Sequence, residues 1–333
     1  MESRHYVRST KLPLWTKRFF GLEPMPVPPA VFFVDAAELR YARFDRSSMG
    51  YELLDYQTVD LDPELFAVGP VGGPIHDPER FRSAVTELQE KMDGDVNEGS
   101  LILPDPWLRI ALVESEDLPR KGEAREDVLK WKLQRIVPFR VEELRVRGTM
   151  THPRSSVGSG GRVLLGFGLE SLLRQLEGVF DDRGIQLGYI SSESLTLLSA
   201  VRDVLEGVEL GAVAFVSPRG YSLTFVLHGE PVLHRFKALP QLAGDEPPEH
   251  LVDRDLNLTK MYLQDQFPGA QIDRLLLIGP REIEERWLGW LATGFGLPAH
   301  PLRIENLPLS TVGREVPLYE VATLLGAARQ EVA

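Results

Sequence analysis

Cysteine is absent from all 333 residues of the chain. That excludes disulfide staples, thiolate metal sites and cysteine nucleophiles, and it fits a reducing compartment. No run of about 18 apolar residues occurs, so no segment reads as a membrane-spanning helix. The N-terminus also lacks the apolar core and small-residue cleavage site of a secretory signal. These absences together predict a cytoplasmic protein. Excess positive charge is missing too: the formal net charge is −12, and general nucleic-acid binding needs a dense basic surface. The seven histidines (His5, His76, His152, His228, His234, His250 and His300) show no ligand spacing, so no metal site is expected. His228 and His234 flank a turn-like Gly-Glu-Pro and read as a solvated hairpin pair. No Ser/His/Asp order and no isolated carboxylate pair stands out, so the chain does not read as an enzyme.

The length and a hydrophobic content of 43% suit two domains, or one bilobed unit with a sizeable core. Charge is unevenly spread. Residues 1–29 carry Arg4, Arg8, Lys11, Lys17 and Arg18 against Glu2 and Glu23, a balance of +3 that leaves −15 on the remainder. This basic, proline-rich tail ends in "EPMPVPPA", a poor helix and a suitable spacer. Within it, "LPLWTKRFFGLE" lines up Trp15 and Phe19 on one side of a helix, with Lys17 and Arg18 more polar. Basic-aromatic helices of that kind lie in the headgroup region of anionic membranes. Packing on the protein's own body or on a neighbouring subunit is the other reading.

Globular structure is expected from Val31. "VFFVDA", "LRYARFD" and "YELLDYQTVDL" read as three strands with turns at Asp35–Glu38 and Ser47–Gly50. A helix from Pro78 follows, with Phe81, Val85, Leu88 and Met92 at helical spacing, then a buried strand, "SLILPD". A second unit contains the strand "LRIALVES", the helix "EAREDVLKWKLQRIV" stopped by Pro138, the strands "ELRVRGTM" and "RVLLGFG" around a glycine-rich loop, and a further helix. The loop lacks the Lys-Ser/Thr ending of a phosphate-binding P-loop. Gly211–Phe236 then repeats the strand–turn–strand–turn–strand order of the first unit and is again followed by helices and a strand. Two related halves predict an α/β protein built from a duplicated domain. The last segment, "LYEVATLLGAARQ", reads as an amphipathic closing helix.

This order of pieces resembles the actin-like ATPase fold, a duplicated ribonuclease H-like architecture, and within it the type IV pilus assembly protein PilM family, relatives of the division protein FtsA. Three stretches carry the resemblance over roughly residues 30–333: "EDVLKWKLQRIVPFRVEEL", "YLQDQFPGAQIDRLLLIG" and "LYEVATLLGAARQ". It implies a first half from residues 30–105 and 190–208 plus a closing helix at 317–333, a small α/β subdomain inserted at 106–189, and a second half at 209–316. The family's nucleotide would meet three turns. The first keeps Asp35 but has Ala37 where glycine lets backbone approach phosphate, and Glu38 where a serine would donate. Asp35 is then either a turn-capping relic or a magnesium ligand. The second places Ser217 near the expected aspartate, followed by Pro218 and Arg219. Arg219 with Gly220 suits either an anion or an ordinary polar turn. The third replaces a glycine pair by Gly279 and Pro280. Three departures at three contact points predict no cofactor; a working, ATP-regulated PilM with magnesium is the alternative.

The function that the resemblance implies is a cytoplasmic scaffold, peripheral to the inner membrane, in a type IV pilus machine. Its expected partners are the N-terminal peptide of a bitopic PilN-like protein, the PilN–PilO complex, cytoplasmic motor ATPases and further copies of itself in a ring. A GspL-like platform component of type II secretion shares the fold and is the second alternative. Partner binding is expected beside the helix over 127–137. Trp131 there is either core or an exposed anchor, Pro138 stops the helix and presents Phe139, and Arg135 or Arg140 meets an acidic or carbonyl-rich stretch of the partner.

Overall fold

Apolar runs alternating with turn residues produce two sheets of the same design. A computed structural model describes residues 25–26, 28–48, 50–67, 69, 71–115, 119, 123–138, 140–151, 161–217, 220–239, 249–311, 316–329 and 331–332. The strands are β1 (Met25–Pro26), β2 (Ala30–Val34), β3 (Glu38–Ser47), β4 (Gly50–Asp60), β5 (Glu98–Leu103), β6 (Leu108–Ser115), β7 (Leu144–Thr151), β8 (Gly161–Leu169), β9 (Gln186–Ser192), β10 (Leu210–Ser217), β11 (Gly220–Leu227), β12 (Glu230–Ala238), β13 (Arg274–Ile278), β14 (His300–Pro301), β15 (Leu309–Thr311) and β16 (Glu331–Val332). The helices are α1 (Pro78–Lys91), α2 (Glu123–Gln134), α3 (Glu170–Asp181), α4 (Glu193–Ala200), α5 (Glu249–Gln266), α6 (Arg281–Phe295) and α7 (Leu318–Ala328).

In the first half the strand order is β15-β4-β3-β2-β5-β9, and in the second it is β12-β11-β10-β13-β14. Each half is an antiparallel meander whose first strand takes a parallel neighbour on its other side: β5 on β2, and β13 on β10. Strands β2 and β10 are therefore central, covered on both faces, and buried along their whole length. Asp77 caps α1 by accepting from the Arg80 N–H at 3.0 Å, with Pro78 pre-set for the first turn. The helix buries Phe81, Val85 and Leu88, as its spacing predicts.

The insertion between β5 and β9 forms a three-stranded sheet in the order β6-β8-β7. It has its own core, in which Leu129 and Leu133 of α2 meet Val146, Val163, Leu165 and Phe167. Helix α2 ends at Gln134, three residues short of the expected Val137; the chain tightens there into turns, with the Ile136 N–H bonded to Leu133 O at 2.9 Å. Arg145 of β7 ties the sheet to α3 through Glu170 at 2.7 Å and Glu177 at 2.6 Å.

Helices α4 and α7 cross at the junction of the halves. Gly326 is needed at that crossing, because a Cβ there would overlap the backbone carbonyl of Thr196. The closing helix α7 departs from the amphipathic expectation. Every residue from Glu320 to Ala327 is buried, since the helix lies against the first-half sheet and the crossing helix together. Among the described residues no helix is long and apolar enough to cross a membrane.

Candidate functional site

The first turn of the predicted nucleotide cleft follows β2. Asp35 is buried, and its Oδ1 accepts the N–H of Ala37 at 2.7 Å and of Glu38 at 3.0 Å. The Asp35 N–H donates back to Glu38 O at 3.1 Å. The aspartate thus folds onto its own turn and satisfies two of its backbone donors. Glu38 pairs with Arg40, whose Nε lies 3.7 Å from Glu320 Oε2, and Tyr56 donates to the same Glu320 oxygen at 2.6 Å. The Arg40 guanidinium also sits 4.7 Å from the centre of the Phe33 ring. Burial alone would lower the Arg40 pKa, but the Glu38 hydrogen bond and the Glu320 charge carry it above its ordinary range. Burial, reinforced by Glu320, raises the Tyr56 hydroxyl and pushes Tyr319 up likewise. A carboxylate–guanidinium–carboxylate–phenol chain therefore runs from the first turn into α7.

The second and third turns meet each other. Ser217 Oγ donates to Gly220 O at 3.3 Å, while Pro218 and Arg219 lie outside the described residues. A Cβ on Gly279 would stand 3.0 Å from Val216 O, one residue before Ser217, so this position favours glycine for close approach. Pro280 precedes α6 with φ −60 and supplies no N–H there.

A polar contact that the sequence reading missed lies where the halves meet. Asp105, just after β5, accepts from the Ser194 N–H at 3.1 Å and from Ser194 Oγ at 2.5 Å. Ser194 Oγ in turn lies 2.7 Å from Ser222 Oγ of β11. All three residues are buried. The signal was the Ser191-Ser192-Glu193-Ser194 run at a strand-to-helix junction, where hydroxyls satisfy helix N-termini; Ser192 caps α4 in that way. His234 corrects the expectation of a solvated pair with His228. Its Nδ1 lies 2.9 Å from Thr224 Oγ1, its Nε2 is sealed from solvent, and burial pushes the imidazole below its ordinary pKa against the pull of Asp105. His228 sits in the tight turn before β12 at φ 50, with its N–H bonded to Glu209 O at 2.8 Å. Cross-strand pairing with Thr224, not proximity in sequence, decides the environment of His234.

On the inserted subdomain, Trp131 is 57% exposed and Ile136 55% exposed. Leu129 and Leu133 face the sheet, so Trp131 stands on the opposite side of α2. Arg135 covers the indole at 5.5 Å from the ring centre. Pro138 and Arg140, past the end of α2, are exposed, and Arg140 reaches Glu143 at 3.5 Å. Phe139 lies outside the described residues, as do the tail residues Trp15, Lys17, Arg18 and Phe19. Among the described residues no group of three or more His, Cys, Asp or Glu is placed to hold a metal ion.

No family model and no curated protein matches the chain. Solved structures do match. The PilM–PilN type IV pilus biogenesis complex aligns with a TM-score of 0.72 at 14% identity, covering 91% of this chain and 98% of that one. A Bacteroides thetaiotaomicron protein with an actin-like ATPase fold and unknown function aligns at 0.50 and 11% identity, covering 82% and 90%. The chain has the actin-like ATPase fold.

Proposed function

We propose that this chain is a nucleotide-free, PilM-like scaffold at the cytoplasmic face of a type IV pilus machine, gripping the N-terminal peptide of a PilN-like membrane protein. The observation that carries the reading is the end-to-end likeness to PilM from a PilM–PilN complex. The first turn supports the nucleotide-free part: Asp35 accepts its backbone donors, and Glu38 stands where the resemblance implies a serine. The peptide is read as docking beside α2, where Trp131 and Ile136 offer an apolar surface and Arg135 and Arg140 offer cations. A large aromatic left half-exposed next to arginine is the composition of an interface anchor.

The test is fluorescence anisotropy with a synthetic peptide of the cytoplasmic N-terminus of a PilN-like protein from the same genome. Micromolar binding is expected (about −8 kcal/mol), and Trp131→Ala should weaken it about ten-fold or more. Because Trp131 faces solvent, the variant should melt with the wild type. Full-strength binding by the variant removes α2 from the site, and no binding by the wild type removes the partner.

A further inference from the structure

A cavity of about 770 Å³ opens where β10 begins and β11 finishes, at the opposite end of these strands from the turns that carry Ser217 and Gly279. Its wall is apolar: Leu198 of α4, Leu205 and Val208 after that helix, and Val226 of β11. Leu205 and Val226 are buried and belong to the apolar cluster shared by the two halves, while Leu198 and Val208 are half-buried. A cavity of this size takes one or two aromatic side chains with room to spare.

The mouth is acidic. Asp203 is held between Arg329 at 2.7 Å and Arg202 at 3.6 Å. Glu206 and Glu209 are exposed, and neither forms an ion pair among the described residues. Behind them Asp273 accepts the N–H of Glu209 at 3.0 Å, Arg274 donates to Val204 O at 2.6 Å, and Glu230 follows the lining residue Gly229. Carboxylates therefore outnumber guanidiniums by five to three around this cavity. The root of the N-terminal tail is fixed close by. Arg329, at the end of α7, also donates to Ala200 O at 2.7 Å. Two residues further on, β16 pairs with β1, Glu331 opposite Pro26 and Val332 opposite Met25. Met25 is thus three residues, about 10 Å, and one strand spacing, about 5 Å, from the residue that grips the cavity wall.

We infer that residues 12–22 of the chain's own tail dock in this cavity, with Trp15 and Phe19 on the apolar wall and Lys17 and Arg18 against Glu206 and Glu209. The tail before Met25 carries five cations and two carboxylates, so its charge is opposite to that of the mouth. Ten residues join Trp15 to Met25, and that length of chain reaches up to about 35 Å. The aromatic rings supply the buried area, while the exposed ion pairs add little beyond direction. The tether makes a weak site sufficient: an effective concentration of about 1 mM fills a site of about 0.1 mM affinity to roughly nine-tenths. The exposed apolar surface around Trp131 does not suit the tail, because Arg135 covers it with charge of the same sign. The inference is independent of the peptide site beside α2.

Tryptic cleavage after Lys17 and Arg18, followed by mass spectrometry on the native full chain, tests the inference against a synthetic peptide of residues 1–24 in the same tube. The tail should be cut about ten-fold more slowly than the free peptide, as the tether arithmetic requires. Glu206→Gln with Glu209→Gln should bring its rate towards that of the peptide without lowering the melting temperature, since both side chains face solvent. Carbodiimide coupling of the wild type should join Lys17 to Glu206 or Glu209 within one chain. A tail cut as fast as the free peptide overturns the inference, and so does protection that the double glutamine variant leaves unchanged. Coupling between light and heavy chains in an isotope-mixed sample would assign the cavity to a neighbouring copy's tail instead. Protection that arises only with phosphatidylglycerol vesicles would assign the tail to a membrane surface, and either result also overturns the inference.

Discussion

Asp35 Oδ1 accepts two N–H groups of its own turn, from Ala37 and Glu38. A nucleotide would have to displace that carboxylate from its own turn, beside a Glu38 that is already paired with Arg40. Titration calorimetry with Mg-ATP at high protein concentration should therefore show only dilution heat. Ala37→Gly with Glu38→Ser, which restores the expected residue types, should remain silent too, because Asp35 still occupies the donors. A wild-type dissociation constant in the low micromolar range, about −8 kcal/mol, contradicts this account. Ala37 and Glu38, in place of the glycine and serine that the resemblance implies, are readable in the sequence, and their effect on nucleotide binding is what the titration measures. What Asp35 does in their place was not legible. An aspartate ending a strand serves equally as a metal ligand or as a turn cap, and the difference lies in one side-chain rotation.

At the scale of elements, the strands were plain because a two-residue alternation bounded by turns is local information. The face of α2 was not. Val128 and Trp131 form one apolar line and Leu129 and Leu133 another; a helix covered by a single three-stranded sheet buries only one of them, and here it is the leucines. Ion pairs link that subdomain's β7 to α3, and they carry a pH dependence. Arg145, with Arg174 assisting, holds the Glu170 carboxyl down to about 2, against an ordinary value near 4.3 when unfolded. Because the folded value is the lower one, the stabilisation is complete above roughly pH 5 and fades as pH falls from there through the folded pKa. Arg145→Ala should cost about 1–2 kcal/mol near neutrality, allowing for screening at these partly exposed positions. The gap from wild type in chemical denaturation should narrow below about pH 5 and close only as pH falls through about 2. A gap that stays constant with pH would mean that Arg145 acts through packing alone.

The duplicated design of the whole molecule was readable because each half repeats one order of strands, and repetition survives at the level of pattern. How the halves meet was not readable, since an apolar cluster drawn from both halves and three small polar residues from distant parts of the chain come together there. Asp105, Ser194 and Ser222 form a buried relay in which the hydrogen positions follow from the chemistry. Asp105 can only accept when ionised, so Ser194 donates to it and Ser222 donates to Ser194. The two hydroxyls are therefore unequal. Ser194→Ala strips a donor from a buried carboxylate and leaves Ser222 without its acceptor, a loss of about 1–3 kcal/mol or somewhat more for a charged group. Ser222→Ala leaves the bond to the carboxylate intact and removes only a neutral hydroxyl contact, roughly 0.5–1.5 kcal/mol. Differential scanning calorimetry should rank the melting temperatures wild type, Ser222→Ala, Ser194→Ala from highest to lowest. Hydrogen exchange should show the larger loss of protection in β11 and at the start of α4 for Ser194→Ala. The reverse ranking would reverse the donor order, and equal melting of all three proteins would mean that the apolar cluster shared by the halves holds them together without help from these hydrogen bonds.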